Sequence, residues 1–399
     1  MREKDEGAVE YFVTLQRFGN MADSLVLRAI KGNARSLNLN SKKIHQVPTA
    51  VAKLMSLSTL QLKNNFIATL PCEVQTLINL TELNLGNNVL EEVPVVLTHL
   101  RSLRKLHLFG NRIEKIPSEV FEGLSNLKFL NLNHNKVRVI PAEVHRLINL
   151  EYLSLNSNQL EDIPFELCFL KNLSEFHVAR NRLTLLPQEV CFLTNLTKLF
   201  LARNQLNGLP EGIHKLRKLK VIDVAGNQLR MFPSDFQELQ LEELYCEENP
   251  LLQKELVESE QEEEVLSLKE ITARCIFKEL RSRSSVVHKA ITHYPALKTV
   301  LSQGGKCAVC SQGFLGIWLE CVKFVNLKKE MKLASLLHTI PVRVLLCSYK
   351  CFNKSGHAYY EGCSPLKKKK QYNWTGPLGS WAQYEKHVWN STDTILIYF

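Results

Sequence analysis

The chain has 399 residues, 45% of them hydrophobic, and 50 Lys and Arg against 40 Asp and Glu give a formal net charge of +10. That is room for two domains. It contains no apolar run of the ~18 residues a membrane span needs, and Met1-Arg2-Glu3-Lys4-Asp5-Glu6 lacks the apolar core of a signal peptide. Part of the positive excess is the run Lys367 to Lys370, so charge alone does not imply nucleic acid. Eleven cysteines, an odd number with none before Cys72, point to a reducing, intracellular and cytoplasmic setting.

Residues 1–33 read as an N-terminal extension and a capping helix. Asp23 or Ser24 is its expected N-cap, and Leu25, Leu27 and Ile30 are its expected apolar residues. Residues 34–251 repeat one pattern, L-x-x-L-x-L-x-x-N-x-Φ followed by Pro (Φ, apolar). The Asn recurs at Asn65, Asn88, Asn111, Asn135, Asn158, Asn181, Asn204, Asn227 and Asn249, in steps of 23 except one of 24 and a last one of 22. In Leu80-Thr81-Glu82-Leu83-Asn84-Leu85 the alternation is that of a short strand. A single such unit cannot bury its own apolar face, so units must stack. Each Asn carries donor and acceptor and can bridge backbone groups of adjacent turns inside the stack. The Pro, which cannot donate to a ladder, suits an outer, non-sheet connection. Lys42 replaces the Asn of the first unit, and the Leu241–Leu251 half unit lacks an outer segment.

The pattern resembles the leucine-rich repeat. The resemblance implies an α/β solenoid, a horseshoe with a parallel sheet on its concave side, of about nine repeats plus a terminal half repeat. Outward strand positions then place Lys105, His107, Phe129, Tyr152, His177, Lys198 and Phe200 on the concave face, with Arg180 and Arg203 just beyond the strands. Aromatic and Arg side chains on a rigid surface are the usual anchors of protein interfaces. The same rings would also serve merely to cover a pleated surface. Lys and Arg are too sparse for a phosphate track, so no nucleic acid is expected. At the C-terminal end the face turns acidic, through Asp223, Glu243, Glu247 and Glu248.

Residues 252–264 form an acidic connection, and residues 265–352 a helical and Cys-rich module that caps the solenoid. Leu268, Thr272 and Ile276 fall on one helix face. The run Ser267 to Ile276 resembles an elongin-binding box, with Thr272 where Cys or Ala is usual. The same helix would equally close the open end of the solenoid. Tyr294-Pro295-Ala296-Leu297 loosely resembles a cullin-selecting box. Cys307-x2-Cys310 and Cys347-x3-Cys351 have metal-ligand spacing, and four thiolates can hold one zinc tetrahedrally. Cys321 is a spare or a substitute ligand. The alternative is a set of buried thiols among Phe314, Ile317, Trp318, Leu319, Val344, Leu345 and Leu346. Residues 353–399, basic and aromatic, are expected to be poorly ordered.

Helix, repeats, Ser267 helix and cysteine pairs follow one another as in the short intracellular leucine-rich-repeat proteins. Relatives with this plan act as substrate receptors of elongin–cullin ubiquitin ligases, which implies a non-enzymatic adaptor binding elongin C and a protein substrate. The alternative is a signalling scaffold binding a small GTPase or phosphatase. No Gly-rich phosphate loop, catalytic triad or paired-carboxylate site appears in the sequence.

Overall fold

A computed structural model describes residues 21–253, 266–282, 285–302, 304–316, 319–335, 337–352, 354 and 396–397. Residues 1–20, nearly all of the acidic connection and nearly all of the basic tail lie outside the described residues. The chain divides into two compact units. One comprises the repeats to Arg230, Phe236–Pro250 and Leu327–His338; the other comprises Met231–Asp235, Leu251–Asn326 and Thr339 onward.

The first unit is built on ten three-residue strands: β1 (Ser36–Asn38), β2 (Thr59–Gln61), β3 (Glu82–Asn84), β4 (Lys105–His107), β5 (Phe129–Asn131), β6 (Tyr152–Ser154), β7 (Glu175–His177), β8 (Lys198–Phe200), β9 (Val221–Asp223) and β10 (Glu243–Tyr245). They form one parallel sheet in sequence order. Its central register runs Leu37, Leu60, Leu83, Leu106, Leu130, Leu153, Phe176, Leu199, Ile222, Leu244, all buried.

The asparagines supply the polar half of this core. Asn88 is typical: its Nδ2 donates to the carbonyls of Leu85 and Leu62, both at 3.0 Å, and its Oδ1 accepts from Ile67 N at 3.0 Å. One amide thus ties its own turn to the preceding one, and the same arrangement recurs up to Asn249, whose Oδ1 accepts from Leu229 N. The residue before each of these asparagines has a positive φ, from 53° to 66°.

The convex side departs from a helical layer. Seven repeats carry a five-residue 3₁₀ turn directly after their Pro, as in Phe165–Phe169 after Pro164. The third residue of each turn is buried, and the backbone N–H of the following Leu donates back to it. A step of 23 residues leaves too little chain for more than one tight turn. The single step of 24, between Asn111 and Asn135, instead carries a short α-helix, α2 (Val120–Gly123). There the backbones of adjacent repeats nearly touch: a Cβ on Gly123 would lie 1.7 Å from the Thr98 carbonyl oxygen. Gly123→Ala must push whole repeats apart. It is expected to destabilise the repeats by about 3 kcal/mol, at the upper end for overpacking, read from the urea midpoint.

The N-terminal helix, α1, corrects one expectation. It already runs at Met21 and spans 21–31, so neither Asp23 nor Ser24 caps it. Its buried face is Ala22, Val26 and Ala29, while Leu27 is 55% exposed. These three small or branched residues lie at i, i+4 and i+7 and form one narrow stripe.

In the second unit, helix α3 (Leu268–Glu279) is capped by Ser267, whose hydroxyl accepts from Glu270 N. It is followed by α4 (Val286–Thr292) and α5 (Pro295–Ser302), with Pro295 at the first helical position, where its missing N–H is harmless. A short hairpin, Gly305–Lys306 with Gly313–Phe314, precedes a long one, β11 (Leu319–Asn326) with β12 (Thr339–Leu346). Phe232 bridges to this hairpin beside Val342. From the tail, Leu396–Ile397 pairs parallel with Glu320–Cys321. No helix among the described residues is long and apolar enough to cross a membrane.

Candidate functional site

Three-residue strands expose two side chains each on the open face of the sheet, and in strands β4 to β8 these include rings in register. His107 meets Phe129 at 4.8 Å between centroids, Phe129 stacks on Tyr152 at 4.4 Å, Tyr152 meets His177 at 5.0 Å, and His177 stacks on Phe200 at 4.4 Å. Phe109 adds an edge contact to His107. Five strands therefore carry an unbroken strip of rings. The faces of the rings are largely occupied by one another, so their rims are turned to solvent. Rims carry the positive part of the ring quadrupole and favour carboxylate and carbonyl groups as well as apolar contact.

The charges around the strip agree with that polarity. Lys105, Arg180 and Arg203 are exposed beside it, and Lys63 lies 5.2 Å over the Phe109 ring. Glu175 is the acid within the strip. Burial pushes its pKa up, but the hydrogen bonds from Lys198 (3.0 Å) and His177 (3.3 Å) outweigh that and hold it low. At the far end, Asp223, Glu243, Glu247 and Glu248 form the acidic region. There burial raises the Asp223 pKa against the pull of the Ala225 N–H, with Glu247 adding to the rise. Ser154 and Val221 are less open than their strand positions suggest. Ser154 is fully buried, its hydroxyl donating to Asn133 Oδ1 at 2.6 Å, because a short side chain in register with His177 is overshadowed.

The corner geometry adds a second signal. Positive φ suits Gly and Asn, and Asn64, Asn87, Gly110 and Gly226 meet that demand. Arg180 and Arg203 occupy the same corners at φ 57° and 56°, as do His134, Ser157 and Glu248 at 55–57°, at a backbone cost of roughly 1–2 kcal/mol each. Sites where the backbone is held in an unfavourable region often serve function.

Both ladder histidines have lowered pKa values. For His107, burial dominates, with Glu82 opposing and Lys105 and Lys63 assisting. For His177, burial dominates over the attraction of Glu175, and Lys198 assists. A folded value below the ordinary 6.5 means that the unfolded chain binds protons first as pH falls. The contribution of these groups to stability is therefore present above about pH 6.5 and is lost as pH falls through the folded values. Urea midpoints between pH 7 and pH 5 should fall less steeply for the double variant His107→Phe/His177→Phe than for the natural chain.

The second unit brings four thiols together. Cys307 and Cys310 lie in the tight turn after Gly305–Lys306, where Cys307 N donates to Gln312 O and Ser311 N to Cys307 O. Cys347 follows β12, and Cys351 sits in the terminal turn Tyr349–Phe352. The four sulfurs lie within 4.8 Å of one another, with Cys310–Cys347 and Cys347–Cys351 both at 3.5 Å. A tetrahedral ion with Zn–S bonds of about 2.3 Å requires sulfur separations of about 3.8 Å. The group could therefore hold a metal ion. Burial raises the Cys307 thiol, but the N–H groups of Cys310, Cys347 and Val309 and the Cys310 thiol draw it down to about 7. Burial pushes Cys347 and Cys351 up. Cys321 is not a member; it is buried on β11 within the core of Phe314, Leu319, Val344 and Leu346.

Beside this cluster, α3 leaves Leu268 80% exposed and Thr272 exposed, with Ile276 half-buried. All three line a groove of about 340 Å3 with Leu297, Val300, Leu301 and Leu315. The sequence reading missed what anchors the helix. The buried Glu270 carboxylate accepts from Gly316 N (2.7 Å), Leu315 N (3.1 Å) and Arg274 Nε (2.7 Å), and Arg274 Nη2 donates to the Cys347 carbonyl at 2.8 Å. In the sequence Glu270 and Arg274 read as an ordinary surface pair four residues apart. Nothing in the pattern marks them as the tie between helix and cysteines.

Comparison with known proteins bears on the repeats and the family. The family model "Leucine rich repeat" matches residues 73–113, 101–160 and 171–229. The chain is 68% identical to leucine-rich repeat-containing protein 69 of Xenopus laevis over 334 residues, 84% of this chain and 97% of that protein. The chain belongs to the leucine-rich repeat-containing protein 69 family. The human member of this leucine-rich-repeat family is 46% identical over 114 residues, 29% of this chain and 33% of that protein. Among solved structures, an internalin of Listeria monocytogenes aligns with a TM-score of 0.47 and 23% identity, covering 54% of this chain and 68% of its own. A leucine-rich repeat of this kind is in general a protein-interaction module.

Proposed function

We propose that the concave face from Lys105 to Arg203 binds a protein partner that presents acidic and apolar side chains. The observation that carries this reading is the continuous ring strip of His107, Phe129, Tyr152, His177 and Phe200, flanked by arginines at corners where glycine would be less strained. Affinity capture with the natural chain and with Phe129→Asn/Tyr152→Asn tests it. A set of proteins lost together from the variant, whose circular dichroism is unchanged, is the expected result. An identical set from both proteins overturns the reading.

In its sharper form the reading makes the chain a substrate receptor. The face of α3 formed by Leu268, Thr272 and Ile276 docks on elongin C, while the sheet presents a substrate. Support comes from the exposure of Leu268 and from the groove beside it. Elongins B and C should co-purify with the natural chain and be lost on Leu268→Asp. Recovery of a small GTPase or phosphatase without elongin gives the scaffold reading instead. For the cysteine group we propose zinc, because four thiolates at tetrahedral spacing are the donor set it prefers. Cys307, Cys310, Cys347 and Cys351 would hold it as a structural ion that pins the turn after Gly305–Lys306 to the end of β12.

A further inference from the structure

The convex side of the repeats carries a feature unrelated to the ring strip. Phe165, Phe169 and Phe192 are 51%, 47% and 53% exposed. They form one group, with Phe165 and Phe169 edge to face at 6.0 Å and Phe169 and Phe192 near parallel at 6.5 Å. A contiguous exposed aromatic group spanning two repeats is a costly surface to leave in water.

Its charge surroundings are specific. A 3₁₀ turn has three residues per turn, so the second and fifth residues of each convex turn share a face. In Ala142–Arg146 these are Glu143 and Arg146, and Arg146 completes an ion pair with Glu122 of the preceding repeat at 2.9 Å. Glu211–Lys215 likewise ends in a cation. The two turns between them do not: Phe165–Phe169 pairs Glu166 with Phe169, and Gln188–Phe192 pairs Glu189 with Phe192, with no basic residue in either last turn. Where the neighbouring turns hold a cation these two hold a phenyl ring, and the acids remain. Their field reaches inward as well: after burial, Glu189 and Glu166 contribute to raising the Cys168 thiol beneath them to about 12.

We propose that Phe165, Phe169 and Phe192, with Glu166 and Glu189, form a second docking surface for a protein segment that combines large apolar residues with Lys or Arg. Apolar side chains of the partner cover the three rings, and its cations take the place that Arg146 fills one repeat earlier. Two copies of this chain meeting through the patch would set acid against acid, and an anionic membrane surface would be repelled. The concave strip calls for the opposite charge, so one uniform segment does not suit both faces.

Selection of a displayed library of random 16-residue peptides on the full-length chain tests the proposal. The expected peptides are cationic and rich in large apolar residues. They bind at least tenfold more weakly to Phe169→Gln/Phe192→Gln and to the charge-reversed Glu166→Lys/Glu189→Lys, and equally well to the concave variant Phe129→Asn/Tyr152→Asn. All the substituted convex side chains are exposed or half-buried, so unchanged melting of the variants is the accompanying control. Peptides that depend on the rings but are acidic or uncharged, or that ignore charge reversal, overturn the proposal. So do an absence of enriched peptides and retention of every enriched peptide by the ring variant. Self-association seen in sedimentation and abolished by Phe169→Gln/Phe192→Gln would put a second copy on the patch instead, and would also overturn it.

Discussion

Replacing Asn158 with Leu is expected to destabilise the repeats by about 3–5 kcal/mol, because it strips partners from several buried groups at once. Asn158 is nearly buried in the middle of the ladder. Its Oδ1 accepts from Val137 N at 3.0 Å, and its Nδ2 donates to Leu132 O at 3.0 Å and Leu155 O at 2.9 Å. A leucine is similar in volume but satisfies none of these groups. Most single changes cost far less; the excess comes from leaving backbone donors and acceptors unpaired in an apolar stack. The loss also has a recognisable form. Repeats contact only their neighbours, so a weak rung in the centre divides one cooperative array into two shorter ones. Urea unfolding should show a lower midpoint and a shallower slope. Asn249→Leu makes the internal comparison. That residue makes the same kinds of bond but at the end of the sheet, only partly buried, so its loss should be well under half as large and leave the slope unchanged.

Removing metal should be the second large effect. The natural chain is expected to carry about one zinc, and Cys347→Ser or a strong chelator should abolish it. Structural zinc contributes on the order of 10 kcal/mol to small domains with little core. Here the core around the cysteines is small, and four of its members are Cys307, Cys321, Cys347 and Cys351. Near-ultraviolet circular dichroism of the aromatic residues in this unit should collapse on chelation. The repeat transition in urea should persist, since its ladder and sheet are complete without those residues. Hydrogen exchange should rise in Leu268–Glu279, because Arg274 is bonded to the Cys347 carbonyl. Retention of exchange protection and near-ultraviolet signal in metal-free protein would contradict the assignment.

The sheet was legible because its signal is periodic. Lys105, His107, Phe129, Tyr152, His177, Lys198 and Phe200, expected at outward strand positions, all lie in strands, and the asparagines make the inter-turn bonds that a two-sided amide suggests. What the period does not encode was missed. Single-residue differences in repeat length decide between a 3₁₀ turn and α2. Periodicity points to the large apolar residues of the N-terminal helix, but close packing buries Ala22 and Ala29. Ring stacking between Phe129 and Tyr152 follows from register, which spacing gives, yet the burial of Ser154 depends on the size of its neighbours. Glu270 and Arg274 act across a distance in sequence that no local pattern marks. Phe169 and Phe192 sit at a convex position where the repeat makes no demand, so only their exposure in the folded chain distinguishes them.

Nine corners before the asparagines share one backbone geometry, and four of them use Gly or Asn. The architecture itself therefore sets no requirement for two long cations at Arg180 and Arg203. His134, Ser157 and Glu248 fill three more of these corners at φ 55–57°, so the geometry tolerates side chains of either charge or none. Arg180→Gly and Arg203→Gly should therefore each raise the melting temperature of the repeats, because glycine adopts this backbone at no steric cost.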